Sequence, residues 1–156
     1  IYNRIEYLAS GLECRIIFLD HLSILLSGLD GDERRMIDTT MTRLRSLVER
    51  TGITLFLVSH LRRSSSDNHS HEEGGRVSLG QLRGSHSISQ ISDSVIALER
   101  DQQSQDANNV TTIRVLKNRY SGQTGVATRL TYDLSSCQFY ETTKDPEPEF
   151  DATTDF

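Results

Sequence analysis

The 156 residues suffice for one domain with a real core. No apolar run is long enough to span a membrane and no signal peptide opens the chain, so a membrane-embedded role is not expected. The formal net charge of −5 is uneven: residues 141–156 carry six acids and one base, the rest is near neutral, and a nucleic-acid partner is not excluded.

Cys14 and Cys137 lie far apart with no metal-ligand spacing, the pattern of reduced thiols in a cytosolic protein. The chain begins at Ile1 rather than Met, so a piece of a longer protein is expected.

In chain order, Ile5 and Leu8 stand at helical spacing and Gly11 is a plausible stop, which predicts the last turns of a helix over Ile1 to Ser10. Arg15-Ile16-Ile17-Phe18-Leu19-Asp20-His21 follows. Its apolar run has no polar break, as in a central strand covered on both faces. An acid at the C-terminal end of such a strand sits where open α/β sheets bind ligands. That is the pattern of a Walker B strand, whose Asp holds a nucleotide-bound Mg²⁺. It is equally the pattern of a buried strand followed by a turn-forming Asp.

His21 to Gly31 reads as a loop, and a helix is predicted from about Asp32 to Arg50. Asp30 is placed to cap it, with Glu33 three residues on. Met36, Ile37, Met41, Leu44, Leu47 and Val48 form one apolar stripe, and Gly52 ends the helix. Ile53 to Ser59 is a second buried strand with His60 at its end. Strand, helix and strand of this length predict a right-handed parallel crossover, which sets Asp20 and His60 on one sheet edge. His60 alone would read as a satisfied structural histidine; two polar groups at equivalent strand ends read as a site.

Leu61 to Gly80 is polar and aperiodic, the composition of a mobile loop. Its His69-Ser70-His71-Glu72 has metal-binding side chain types, although a solvated loop is the plainer reading. A short helix is predicted near Ser87–Ser92, then strands at Ser94–Leu98 and Thr111–Asn118, with a glycine-bearing hairpin loop at Tyr120–Gly125. Val126–Asp133 and Gln138–Tyr140 are expected to close the sheet as antiparallel strands. Thr142 to Phe156, with Pro146, Pro148 and dense acids, cannot bury a core and is expected to be disordered.

These segments together resemble the C-terminal half of the helicase domain in DnaB-type hexameric replicative helicases. The likeness is greatest to the fused primase–helicases of T-seven-type short-tailed phages, with Twinkle more distant. Ile16–His21 is similar to the family's Walker B segment, and Asp32-Glu33-Arg34-Arg35-Met36-Ile37-Asp38 to the start of the next helix. Ser59-His60-Leu61 is similar to the phosphate-sensor motif. His71-Glu72-Glu73-Gly74, Leu82-Arg83-Gly84-Ser85 and Gln90-Ile91-Ser92-Asp93 are similar to the DNA-facing segment. Ile96-Ala97-Leu98-Glu99-Arg100 and Leu116-Lys117-Asn118-Arg119-Tyr120, with Gly122 and Thr124-Gly125, complete a match from Leu8 to Tyr140.

The resemblance implies an α/β fold: the C-terminal part of a RecA-like P-loop NTPase core over residues 1–141, mostly parallel with antiparallel strands at its C-terminal end, followed by the acidic tail 142–156. It implies an NTP-driven, ring-forming replicative helicase, hexameric or heptameric, translocating on single-stranded DNA, with Mg²⁺ and ATP or dTTP as cofactors. A phage-encoded protein of the host cytoplasm, with no membrane partner, would follow. In it Asp20 positions Mg²⁺ and His60 contacts the γ-phosphate or its attacking water. Arg119 resembles an arginine finger reaching the next subunit's site, a task suited to a planar, permanently charged fork, with Lys117 assisting. Arg100 and Tyr132 match positions that sandwich the nucleotide base.

Arg62, Arg63, Arg83 and Gly84 fall on loops that would hold single-stranded DNA without sequence preference. The chain has serines in that loop where close phage relatives carry lysines, and Ser89 where they carry an arginine. The ending Thr154-Asp155-Phe156 resembles the acidic tail by which phage helicases dock on their replicative DNA polymerase, with Phe156 as anchor. The sequence holds no G-x-x-x-x-G-K-[ST]; in the family that motif and the catalytic Glu lie upstream, so the fragment alone is expected to be inactive. Two other classes fit the same fold: a RecA-like DNA-dependent ATPase that does not unwind, and a non-enzymatic binding module.

Overall fold

The computed structural model describes residues 1–26, 31–61, 71–82, 86–105 and 107–142. Helix α1 (Tyr2–Ser10) ends at Gly11, whose N–H donates to the Tyr7 carbonyl. Strand β1 (Ile16–Leu19) follows, then a short helix α2 (Leu22–Leu26), where a loop was expected. Helix α3 (Glu33–Thr51) leads to β2 (Thr54–Leu57). The cap of α3 is Asp32, whose carboxylate accepts from the Arg34 N–H at 3.0 Å; the expected cap, Asp30, lies outside the described residues. Gly52 closes α3 in the left-handed region at φ 68°, a conformation glycine adopts without the Cβ penalty.

β1 and β2 pair in parallel, Ile16 opposite Thr54 and Leu19 opposite Leu57, so α3 lies in a parallel crossover between them, as the pattern predicted. Ile17 packs with Ile5, Leu44, Leu47 and Ile53 in one core, flanked by Leu19, Leu55 and Leu57. Leu22, Leu26, Ile37 and Met41 form a second core with Ile88. The opposite face of the pair is open: Ile16 and Phe18 are 60% and 72% exposed, and Phe18 stacks on Phe56 at 4.7 Å. Among the described residues the apolar run is therefore covered on one face, not two.

A 3-10 turn (Leu79–Gln81) and helix α4 (His86–Ile91) precede an antiparallel sheet of β3 (Ser94–Arg100), β4 (Val110–Asn118), β5 (Gly125–Asp133) and β6 (Gln138–Glu141), in that spatial order. The mixed α/β class is as expected. The balance differs, with one parallel pair and three antiparallel pairs among the described strands.

Two features of this sheet place side chains that matter below. Ala97 lies opposite Arg114, Ile96 opposite Val115, and Val95 opposite Lys117, so Leu116 is an extra, bulged residue. In a regular strand Arg114 and Lys117, three apart, would face opposite sides; the bulge puts both on the side of Val95, Ala97 and Glu99. On that side Glu99 is buried and bonds Arg114 Nε at 2.9 and 3.0 Å and the Val77 N–H at 2.8 Å. Residues 71–80, part of the loop expected over Leu61 to Gly80, are thus strapped to the sheet through Val77 and through Glu73, which bridges Asp101; separately, Leu61 bridges Leu82.

This ion pair is desolvated, with side chains 16% and 6% exposed, and removing one partner of such a pair leaves an uncompensated buried charge. Arg114→Met should cost about 3–5 kcal/mol of stability, read by denaturant unfolding of the complete protein. A change within experimental error would show that Glu99 is satisfied by Val77 alone.

Candidate functional site

The ends of β1 and β2 are braced beyond their last paired residues. The Val58 N–H donates to the Leu19 carbonyl and the Leu22 N–H to the Val58 carbonyl, both at 2.9 Å. Asp20 and His60 consequently follow the carboxyl ends of the two parallel strands, on one sheet edge as the sequence predicted, and both are exposed. The His21 ring packs against His60 at 4.3 Å and 65°, edge to face. The Asp20–His21 peptide is cis. Sequence reasoning gave His21 no role, and a histidine beside an acid carries no local signal of this contact.

Asp20 has no ion pair among the described residues, and no group of three metal-ligating side chains exists among them. A single free carboxylate does not make a protein cage, but it suits Mg²⁺, which keeps several waters and is bound through one or two carboxylates plus substrate phosphates.

A second cluster sits where α4 meets β3. The Lys117 ammonium donates to the carbonyls of Ser89, Gln90 and Ser92 at 2.6, 3.1 and 2.7 Å, capping the C-terminal turn of α4. Burial, and then the neighbouring Arg119, push the Lys117 pKa down; Asp93 opposes them. Arg119 is not the unpaired projection that a hairpin position suggests. Its Nη1 lies 3.2 Å from Asp93 Oδ1, its Nη2 donates to the Gln90 carbonyl at 2.8 Å, and its N–H donates to the Asp93 carbonyl at 2.8 Å. Asp93 Oδ2 takes Arg45 Nη1 of α3 at 2.6 Å, and Arg45 Nε pairs with Glu49 at 2.7 Å. The bonds to Glu49 and Asp93 raise the Arg45 pKa further. Asp93 fell inside a recognised segment of the sequence, but only the fold shows that it joins two arginines.

Arg100 and Tyr132 lie at the other end of the sheet. Arg100 Nε donates to the Asn108 carbonyl and the Tyr132 N–H to the Asn109 carbonyl, so both border the turn before β4. The Tyr132 ring tilts against Phe139 at 4.9 Å, and its hydroxyl pKa is raised, first by the Cys137 thiol. No bond or ring contact joins Arg100 to Tyr132 among the described residues. With Lys117 at one end of β4 and the Arg100 turn at the other, roughly 25 Å of strand separates the two groups. Arg62, Arg63, Arg83, Gly84 and Phe156 lie outside the described residues, as does His69. No described helix is long and apolar enough to cross a membrane.

The model of the DnaB-like helicase C-terminal domain matches residues 1–141. The chain is 43% identical over 131 residues to a DNA helicase/primase of Enterobacteria phage T3, covering 83% of this chain and 23% of that protein. Among the solved structures that share the fold are two that cover most of this chain. One is a DnaB-like replicative helicase, described with its interactions with primase, at TM-score 0.69 and 18% identity, covering 88% of this chain and 34% of that one. The other is an ATPase domain, at TM-score 0.64 and 19% identity, covering 86% of this chain and 50% of that one. The α/β fold is thus that of RecA-like ATPase domains. The chain belongs to the DnaB-like helicase C-terminal domain family. It spans about a quarter of the length of the phage relative.

Proposed function

We propose that residues 1–141 serve as the C-terminal part of a RecA-like helicase domain in an NTP-driven, ring-forming replicative DNA helicase. The observation that carries this is the emergence of Asp20 and His60 together at the carboxyl ends of two parallel strands, within a family match over the same residues. Asp20 holds Mg²⁺, which when bound supplies positive charge to the β- and γ-phosphates of ATP or dTTP. His60, steadied by the His21 ring, contacts the γ-phosphate or the attacking water. Arg100 and Tyr132 take the nucleotide base. Arg119 acts on the nucleotide of the adjoining subunit in a hexamer or heptamer, and Lys117 assists by fixing the α4 terminus beside it. The length of β4 between Arg119 and the Arg100–Tyr132 end supports this division, because one nucleotide does not reach both.

The test is unwinding of a forked duplex by the complete protein with its nucleotide, at a site of action in the host cytoplasm. Strand separation dependent on hydrolysis supports the reading. Hydrolysis stimulated by single-stranded DNA without separation makes the protein a DNA-dependent ATPase, and neither activity makes it a binding module.

Single-stranded DNA is held by Arg62, Arg63, Arg83 and Gly84 through phosphate contacts. Arg83 contributes most, since Gly84 beside it lets backbone approach phosphate, whereas Arg62 and Arg63 sit among serines with more freedom to lose. Arg83→Ala should weaken binding and reduce the slope of log affinity against log salt by about one phosphate contact; an unchanged slope refutes that contact.

The acidic tail 142–156 docks on the replicative DNA polymerase. Charge steers it to a basic patch and the Phe156 ring fills an apolar pocket. Phe156→Ala should weaken polymerase binding by about tenfold or more and spare hydrolysis. Equal binding by a tailless protein at low salt would rule the docking role out.

A further inference from the structure

We propose that Asp93 is the positioning residue for Arg119, holding its guanidinium in the orientation from which it serves the adjoining subunit. This rests on Arg119 acting between subunits. An arginine just beyond a strand, before a glycine-bearing hairpin, has many rotamers, and a group that must be ordered at each encounter loses much of its effect. Here the freedom is already removed. Asp93 grips Arg119 twice, by its carboxylate at 3.2 Å and by its carbonyl on the Arg119 N–H at 2.8 Å, and the Gln90 carbonyl takes the second terminal nitrogen at 2.8 Å. A guanidinium has five N–H donors, so two side-chain bonds fix its plane and leave others for an incoming phosphate oxygen.

Asp93 is itself fixed from the opposite side. Its other carboxylate oxygen holds Arg45 at 2.6 Å, and Arg45 belongs to α3, whose Leu44 and Leu47 pack on Ile17 of the strand that bears Asp20. Lys117 locks the carbonyls of Ser89, Gln90 and Ser92 in the same turn. The side chains of Asp93, Arg45 and Arg119 are 28%, 33% and 46% exposed, so solvent screens these pairs and their contribution to folding is small. Their effect is on geometry. The network runs from the strand carrying one subunit's Asp20, through α3, to the residue offered to the next subunit.

The experiment is complementation between subunits of the complete protein. Asp93→Asn alone should lower turnover by about 10²-fold, the cost of misplacing a catalytic group by about 1 Å, with little change in KM, because the interaction is made in the transition state. Mixed with Asp20→Asn subunits, it should regain activity. At interfaces where the Asp93→Asn subunit supplies Asp20 and the Asp20→Asn subunit supplies Arg119, every part is intact. A merely structural defect would damage the subunit's own site and would not be repaired by mixing. If Asp93→Asn fails to form rings, Asp93→Glu, which keeps the charge and shifts the carboxylate by one methylene, takes its place with the same expectation.

The control is Arg119→Ala mixed with Asp20→Asn. Recovery in the control without recovery in the Asp93 mixture overturns the role of Asp93 alone. No recovery in the control overturns action between subunits, and this proposal with it.

Discussion

Asp20→Asn in the complete protein should lower nucleotide hydrolysis by at least about 10²–10³-fold, the range seen when a preorganised electrostatic element is removed, while the protein remains folded. Both halves of that expectation come from one observation. The carboxylate stands exposed at a strand end with no ion pair among the described residues, so neutralising it breaks no internal contact. The stability change should stay within about 0.5 kcal/mol, as for surface substitutions away from special features. Turnover is measured at saturating nucleotide and Mg²⁺, and unfolding is followed in parallel. Near-normal turnover would sink the assignment of Asp20. Loss of both activity and folding would instead make it a structural turn residue.

Arg119→Ala should cost about 10³-fold or more in turnover, the range for arginine fingers, again with little effect on stability, since its pair with Asp93 is open to solvent. Doped into wild-type rings, the variant should depress activity by more than its fraction, because each altered subunit disables a neighbour. Strictly proportional loss would count against a group shared between subunits. Arg119→Lys should not restore the rate, since an ammonium reproduces neither the planar fork nor its paired bonds.

The strand-end site was legible because it depends on short-range pattern. Two apolar runs, each ending on a polar residue and joined by an amphipathic helix, dictate the parallel crossover that brings Asp20 and His60 to one edge. The covering of those runs was not legible. Ile16-Ile17-Phe18-Leu19 looks alike on both faces, and only the structure shows that Ile17 has a core and Phe18 has Phe56 and open space. Helix α2 was missed because five residues are too few to display a helical period. In β3 the larger apolar side chains, Ile96 and Leu98, are 54% and 68% exposed, while the smaller Ala97 and the charged Glu99 are buried. Hydrophobicity alone would choose the wrong face, and what decides is Arg114, fifteen residues on, turned inward beside Glu99. Arg119 finds Asp93 across twenty-six residues, a pairing no local spacing announces.

Leu116 makes β4 respond unequally to changes in chain length. It is the residue without a partner in the ladder, so a deletion there straightens the strand and leaves Lys117 opposite Val95, still facing α4. An added residue has no such slack to use. It must widen the bulge or turn Lys117 to the far side, and with Lys117 goes the clasp on the carbonyls of Ser89, Gln90 and Ser92. Substitutions at Leu116 should therefore be tolerated broadly and deletions mildly, while insertions uncouple the α4 terminus from the strand.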